Sequence, residues 1–191
     1  MKDAPYEFAF RGLLTEEALD RAGRAPTTIP GLFDAEIAEK LSVDLLDEAV
    51  VAPAKHRAAV YVAVAAFENG ARELVTRVML EGFGENWWDE RVSEKTRTHC
   101  KGRQEEDERN RYHKQRGEAQ INYTELKHLV NIIRANWELF EPFLPSPEWT
   151  ASVFDAIERS RNVIMHSGVL DREDVARLGI NIRDWVTQVG A

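Results

Sequence analysis

Residues 54–82, AKHRAAVYVAVAAFENGARELVTRVMLEG, carry the longest helical pattern in the chain and decide its fold class. Alanine, valine, leucine and glutamate dominate, and neither a proline nor a glycine pair interrupts them. The densest apolar patch, AAVYVAVAAF at 58–67, is about half the ~18–20 residues that a membrane span needs. It therefore reads as a buried helix segment, and no membrane partner is expected.

Toward the C-terminus, FGENWWDE at 83–90 breaks this helix, with Gly84 permitting a turn. Trp87 and Trp88 cover the end of the core; both cannot point inward from one element, so one is a candidate for a dimer or ligand surface. Segment 91–120 is very polar and reads as a mixture of helix and loop. A helix begins at Asn122 or Thr124 and runs through ELKHLVNIIRANWELF, with Leu126, Leu129, Ile133 and Trp137 on one side. LPSPEW at 144–149 starts another, with Ser146 as N-cap and Pro147 at the first helical position. That helix turns Phe154, Ile157 and Ile164 inward and ends near Ser167–Gly168. A last helix runs from about Asp171 to Val189. Trp137, Trp149 and Trp185 fall on apolar faces and are expected in the core.

Toward the N-terminus, Asp34 caps a helix expected to reach Val50, with Ile37, Leu41, Leu45 and Ala49 at helical spacing. Pro53 interrupts or begins the next element. LLTEEALDRAG at 13–23 reads as a short helix and RAPTTIPG at 24–31 as a linker. No segment alternates with period two between hairpin turns. The expected architecture is an all-α helical bundle over 35–191, preceded by an arm, 1–34, of unknown role.

The net charge of −8 argues against a general nucleic-acid binder. Its distribution is uneven. Residues 1–50 hold five basic and eleven acidic side chains, a balance of −6; residues 91–116 hold nine and five, a balance of +4. A phosphate ligand prefers the second segment, although each of these side chains taken singly reads as solvated charge. EEDE at 105–108 is expected to pair with neighbouring arginines. Cys100 is the single cysteine, so no internal disulfide forms, which fits a reducing cytoplasm. It is expected to be an ordinary, partly exposed thiol. The first residues lack the pattern of a secretion signal. His99, Cys100 and His113 lack the paired ligands of a structural zinc site; His56 and His128 are isolated. No P-loop, GxGxxG or GxSxG occurs, and no metal or cofactor is expected.

The stretch ERSRNVIMHSG, 158–168, holds the candidate chemistry. An arginine grips phosphate with a planar fork of donors, and a histidine moves protons near neutral pH. Asn162 and His166 are four apart and share a helix face; Arg159 lies seven before His166 on the same stripe. Arg161 is five before His166, about 140° round the helix, a poor spacing for a self-contained site. Two copies of the helix meeting across a twofold axis remove that difficulty. The combination suits metal-free transesterification of RNA: the 2′-oxygen attacks phosphorus, histidine handles the protons, and arginine stabilises the extra negative charge. Taken alone, the same residues also read as a surface arginine and a helix-capping histidine.

The chain resembles the HEPN superfamily, small α-helical domains of RNA-cleaving toxins, antiviral nucleases and RNA-processing factors. It is most similar to the branch named for the C-terminal domain of a yeast transcript-surveillance endoribonuclease. YVAVAAFENGARELV, with Glu68 and Arg72, is similar to that branch's long first core helix. FGENWWDE, NIIRANWELFEPFL and the Arg-Asn-x3-His element of ERSRNVIMHSG follow in order, covering roughly 35–190. The resemblance implies a homodimeric endoribonuclease with catalytic Arg161 and His166 from both subunits in one cleft, and Asn162 positioning the histidine or the phosphate. Glu68 and Arg72, together with Arg159, are candidates for substrate binding; the first two read equally well as an intrahelical salt bridge. RNA is the implied partner, and the family suggests a stress or phage-defence setting with an antitoxin or defence-system protein. Many HEPN domains have lost catalysis, so a non-catalytic module binding RNA or a protein remains the alternative.

Overall fold

A computed structural model describes residues 35–190; the arm 1–34, with its expected short helix and linker, lies outside the described residues, as does Ala191. Among the described residues there are eight α-helices, two 3-10 turns and no strand, so the fold is all-α as expected. The described chain falls into two units, divided between Glu48 and Ala49.

The first unit holds α1, Ala35–Lys40, and a 3-10 turn, Val43–Leu45. The single helix expected as far as Val50 is broken here. Ser42 takes a left-handed conformation (φ 52°) and its N–H closes back on the Glu39 carbonyl. The apolar period was present, but Ile37, Leu41 and Leu45 are all exposed. A helical repeat that buries no face gains little from packing, and packing supplies most helical stability.

The second unit is built on α2, Glu48–Phe83, which starts six residues before the expected Ala54 and carries Pro53 within it. Near a helix N-terminus the missing proline N–H removes only one backbone bond. Val60, Val64, Phe67, Ala71, Leu74, Val75 and Val78 form its buried stripe. The earlier part is barer, with Val50, Tyr61 and Val62 exposed. An 18-residue window of this helix reaches a mean hydropathy of 1.2, enough by length and composition to cross a membrane.

Gly84, at φ +73°, ends α2. Next comes α3, Trp87–Arg91, where Trp87 is buried and half-buried Trp88 donates its indole N–H to Gln120. Both rings thus turn toward the protein. The polar segment resolves into α4, Glu94–Arg109, capped by Ser93, then a loop and a 3-10 turn, Gln120–Tyr123, packed on α4. Cys100 on α4 is fully buried, not partly exposed as expected; it faces the layer beneath α4 while its charged neighbours face water. The helix expected through 125–140 divides into α5, Leu126–Ala135, and α6, Trp137–Phe140. The break is Asn136, whose buried amide donates to the Ile132 carbonyl at 2.9 Å. Such a side-chain bond competes with helix continuation.

Two long helices complete the unit: α7, Pro147–Met165, and α8, Arg172–Val189. Both begin as the sequence implies. Ser146 accepts the Trp149 N–H at 3.0 Å, and Asp171 accepts the Asp174 N–H at 2.8 Å. α7 packs against α5 and α8. Edge-to-face aromatic contacts tie α2, α7 and α8 together: Phe67 lies 5.1 Å from Phe154 and 5.4 Å from Trp185, centroid to centroid. Trp149 stacks on buried Trp185, and Trp137 packs partly buried against the core.

Candidate functional site

The inward stripe of α7 runs Phe154, Ile157, Arg161, Ile164, at spacings of three, four and three. The three apolar members are buried. An arginine at that position needs a counter-charge, and Glu68 supplies it: Arg161 Nε lies 2.8 Å from Glu68 Oε1. Glu68 follows Phe67, so the Phe67–Phe154 contact that docks α2 on α7 also brings the carboxylate to the arginine two turns further along. The other carboxylate oxygen accepts from Arg72 at 3.3 Å. Arg72 also donates to Asn69 Oδ1 and to the Thr124 carbonyl, each at 3.1 Å. Its buried Nε has no hydrogen-bond partner, an orphaned cationic donor of a kind rarely left in a folded interior.

The chain Arg161–Glu68–Arg72 lines a cavity of about 410 Å³. The two readings of Glu68 and Arg72 therefore coincide: they form an ion pair and they line a cavity. Four guanidinium groups, from Arg72, Arg103, Arg116 and Arg161, face it together with three carboxylates, from Glu68, Glu125 and Glu158. Arg103 donates to Glu125 at 3.2 Å; Arg116 lies 3.6 Å from Asp107 and 5.8 Å above the Tyr123 ring. The Asp107–Arg116 pair realises the pairing expected for the acidic run. Of the basic residues in 91–116, Arg103 and Arg116 line this cavity.

Arg159, Asn162 and His166 form an exposed stripe on α7. Asn162 also lines the cavity rim, whereas Arg159 and His166 are not among its lining residues. The fold thus gathers Glu68, Arg72, Arg161 and Asn162 around one cavity and leaves Arg159 and His166 on the adjoining outer face. His166 is the C-cap of α7. The turn after it is a Schellman motif: Gly168 N–H donates to the Val163 carbonyl at 2.8 Å and Ser167 N–H to the Ile164 carbonyl at 3.1 Å. Ser167 takes the left-handed position (φ 63°), one residue before the glycine. Gly168 is required for a different reason, since a Cβ there meets the Val163 carbonyl oxygen at 2.8 Å. Val163, Met165 and Val169 are exposed around His166.

Four charged contributors to the cavity were not among the expected site residues: Arg103 and Arg116 from the basic segment, Glu125 just before α5, and Glu158 at the head of the stretch 158–168. His128, buried near the start of α5, accepts the Glu125 N–H on Nδ1 at 3.1 Å and completes a capping box. Burial, reinforced by the charge of His99, pushes His128 below the usual imidazole range, which keeps Nδ1 available as an acceptor. A hydrogen bond from Lys127 holds Glu125 below the usual carboxylate range, against the opposing effect of burial. Spacing gave no signal for this grouping, because His99 and His128 stand on different helices.

An all-α domain with an arginine-lined cavity beside an Arg-Asn-x3-His helix end is the class of protein that this geometry defines. The sequence model of a family described as Swt1-like HEPN matches residues 63–190. The chain belongs to that family, and hence to the HEPN superfamily. No curated protein and no solved structure matches it.

Proposed function

We propose that this domain is an RNA-directed HEPN protein acting as a metal-independent endoribonuclease, akin to the yeast transcript-surveillance enzyme. The observation that carries the reading is the arrangement on α7. Arg161 is anchored through Nε on Glu68, which leaves its two terminal nitrogens for a phosphate. The exposed stripe of Arg159, Asn162 and His166 runs past it on the outer face. In the reaction the 2′-oxygen attacks phosphorus and the bond to the 5′-oxygen breaks. The imidazole of an Arg–His pair removes the 2′-hydroxyl proton, and the imidazolium so formed supplies the proton of the leaving 5′-hydroxyl. Arginine stabilises the charge that builds on the phosphorane oxygens. The products are a 2′,3′-cyclic phosphate and a free 5′-hydroxyl. Because Arg161 and His166 point to different sides of one helix, the catalytic cleft is proposed to form between two copies of the chain. A cytoplasmic stress or phage-defence role, with an antitoxin or defence partner, is part of the same proposal and rests on the family alone.

The same separation favours a second reading, a non-catalytic module that holds RNA or a protein. One experiment divides them. Single-stranded RNA is incubated with the protein in EDTA and the ends of any products are analysed. Cyclic-phosphate ends that vanish in His166→Ala and Arg161→Ala support the nuclease. Intact RNA, retained by wild type on a filter, supports the binding module and sinks catalysis.

A further inference from the structure

His99 on α4 meets Glu125 and His128 at the start of α5, and one ligand atom from each lies within 4.8 Å of the other two. The two imidazole centroids are 4.8 Å apart. We propose that these three side chains bind a divalent ion of the zinc class, with a fourth position left to water. Two imidazoles and one carboxylate are a donor set zinc adopts when the protein supplies three ligands. Nitrogen-rich sets select zinc, cobalt, nickel or copper over magnesium and calcium.

The geometry is close to, but wider than, a loaded site. A tetrahedral ion with bonds of ~2.0–2.1 Å holds its ligand atoms about 3.4 Å apart; His99 Nε2 and Glu125 Oε1, at 3.6 Å, are nearly there, and the widest pair closes by at most about 1.4 Å on loading. His128 is buried and fixed, whereas the His99 and Glu125 side chains are 39% and 31% exposed and have room to turn. Three existing contacts compete with the ion. Glu125 pairs with Arg103 at 3.2 Å and with Lys127 at 2.7 Å, and its N–H donates to His128 Nδ1 at 3.1 Å. Lys127 is 60% exposed, and pairs of that kind are weak. Ligation through His128 Nε2 puts a proton on Nδ1 and gives up the single cap bond. The Arg103 contact is the consequential one. Glu125 and Arg103 both line the arginine cavity, so an ion that draws Glu125 away from Arg103 makes the cavity wall more attractive to anions. The ion takes no part in the cleavage proposed above, and the inference does not depend on that reading.

The test uses the full chain without an affinity tag, stripped with EDTA and dialysed. It is titrated with Zn²⁺ by calorimetry and with Co²⁺ by visible absorption. One ion per chain with a micromolar or tighter Kd, and the d–d band of a four-coordinate cobalt site, are expected. His99→Ala and Glu125→Gln, both on partly exposed side chains, are expected to weaken binding on the order of tenfold or more and to abolish the band. His113→Ala, outside the cluster, is expected to bind like wild type. The proposal is overturned by wild type that shows no saturable binding, by undiminished binding in His99→Ala, or by loss of binding in His113→Ala.

Discussion

Arg161 interrupts an otherwise apolar stripe, and a charge drawn toward a core is tolerated only with its counter-charge in place. Glu68, with its side chain 16% exposed, serves two arginines at once. Glu68→Gln keeps the shape and removes the charge. We expect a loss of about 1–2 kcal/mol in urea unfolding, below the figure for a fully buried pair because Arg161 is 39% exposed. Under the proposed function the same change strengthens RNA retention, since the cavity loses a carboxylate, and slows cleavage at least tenfold, since Arg161 loses its anchor. Filter binding and product formation measured on one preparation separate the two effects; a variant that cleaves as fast as wild type removes Glu68 from any positioning role. Cys100 offers a simpler check. Burial raises its thiol to about 11; Arg103 opposes this, and Glu125 adds a smaller upward push. A raised pKa leaves roughly one thiol in a thousand ionised at pH 8. Native protein is therefore expected to react with a disulfide reagent far more slowly than unfolded protein, which should label to one equivalent. Fast labelling of the native chain contradicts the buried placement.

At the scale of elements, the capped ends of helices were legible, whereas the start of α2 and the interruptions were not. Ser146–Pro147, Asp171 and Gly84 act through local chemistry: an oxygen that accepts an end N–H, or a backbone that turns where a side chain resists. Such signals need no knowledge of the rest of the fold. The break after Lys40 depends on whether an apolar stripe finds cover, and the break at Asn136 on whether a buried amide prefers a neighbouring carbonyl. Both are decided by tertiary surroundings. Spacing marks the inward row of α7 by Phe154, Ile157 and Ile164 alone; Arg161 fills the gap at the same helical spacing, and its charge hides that place. Family likeness marks Glu68 on α2 as a candidate cleft residue; its pairing with Arg161 emerges only when α2 and α7 are packed together. The end of α7 carries the clearest prediction at this scale. Gly168→Ala drives a methyl into the Val163 carbonyl, and relief requires the Schellman turn to shift. We expect a loss of about 1–3 kcal/mol by chemical denaturation, with His166 displaced as its C-cap loosens. Ser146→Ala, at the other end, is expected to cost about 1 kcal/mol. Full stability in Gly168→Ala means that the turn is softer than its contacts imply.

For the whole molecule the question is how Arg161 and His166 ever meet. One helix turns them about 140° apart; the first lines a cavity with Glu68 while the second is exposed outside its lining. In the proposed dimer, a twofold axis near the end of α7 would bring the arginine of one copy toward the histidine of another, and Val163, Met165 and Val169, exposed in the single chain, would give such a contact an apolar collar. This proposal makes a prediction that a single-chain site does not share. Arg161→Ala and His166→Ala are each expected to be inactive alone. Mixed under conditions that exchange subunits, they form some dimers in which the intact arginine comes from one chain and the intact histidine from the other. Activity should then reappear, up to about a quarter of wild type if half the dimers are mixed and one of two pairs in each is whole. A site contained within each chain gives no recovery, because every chain lacks one of its two residues. Cleavage assays on the two variants, separately and after mixing, therefore decide whether the nuclease is built from one copy or two.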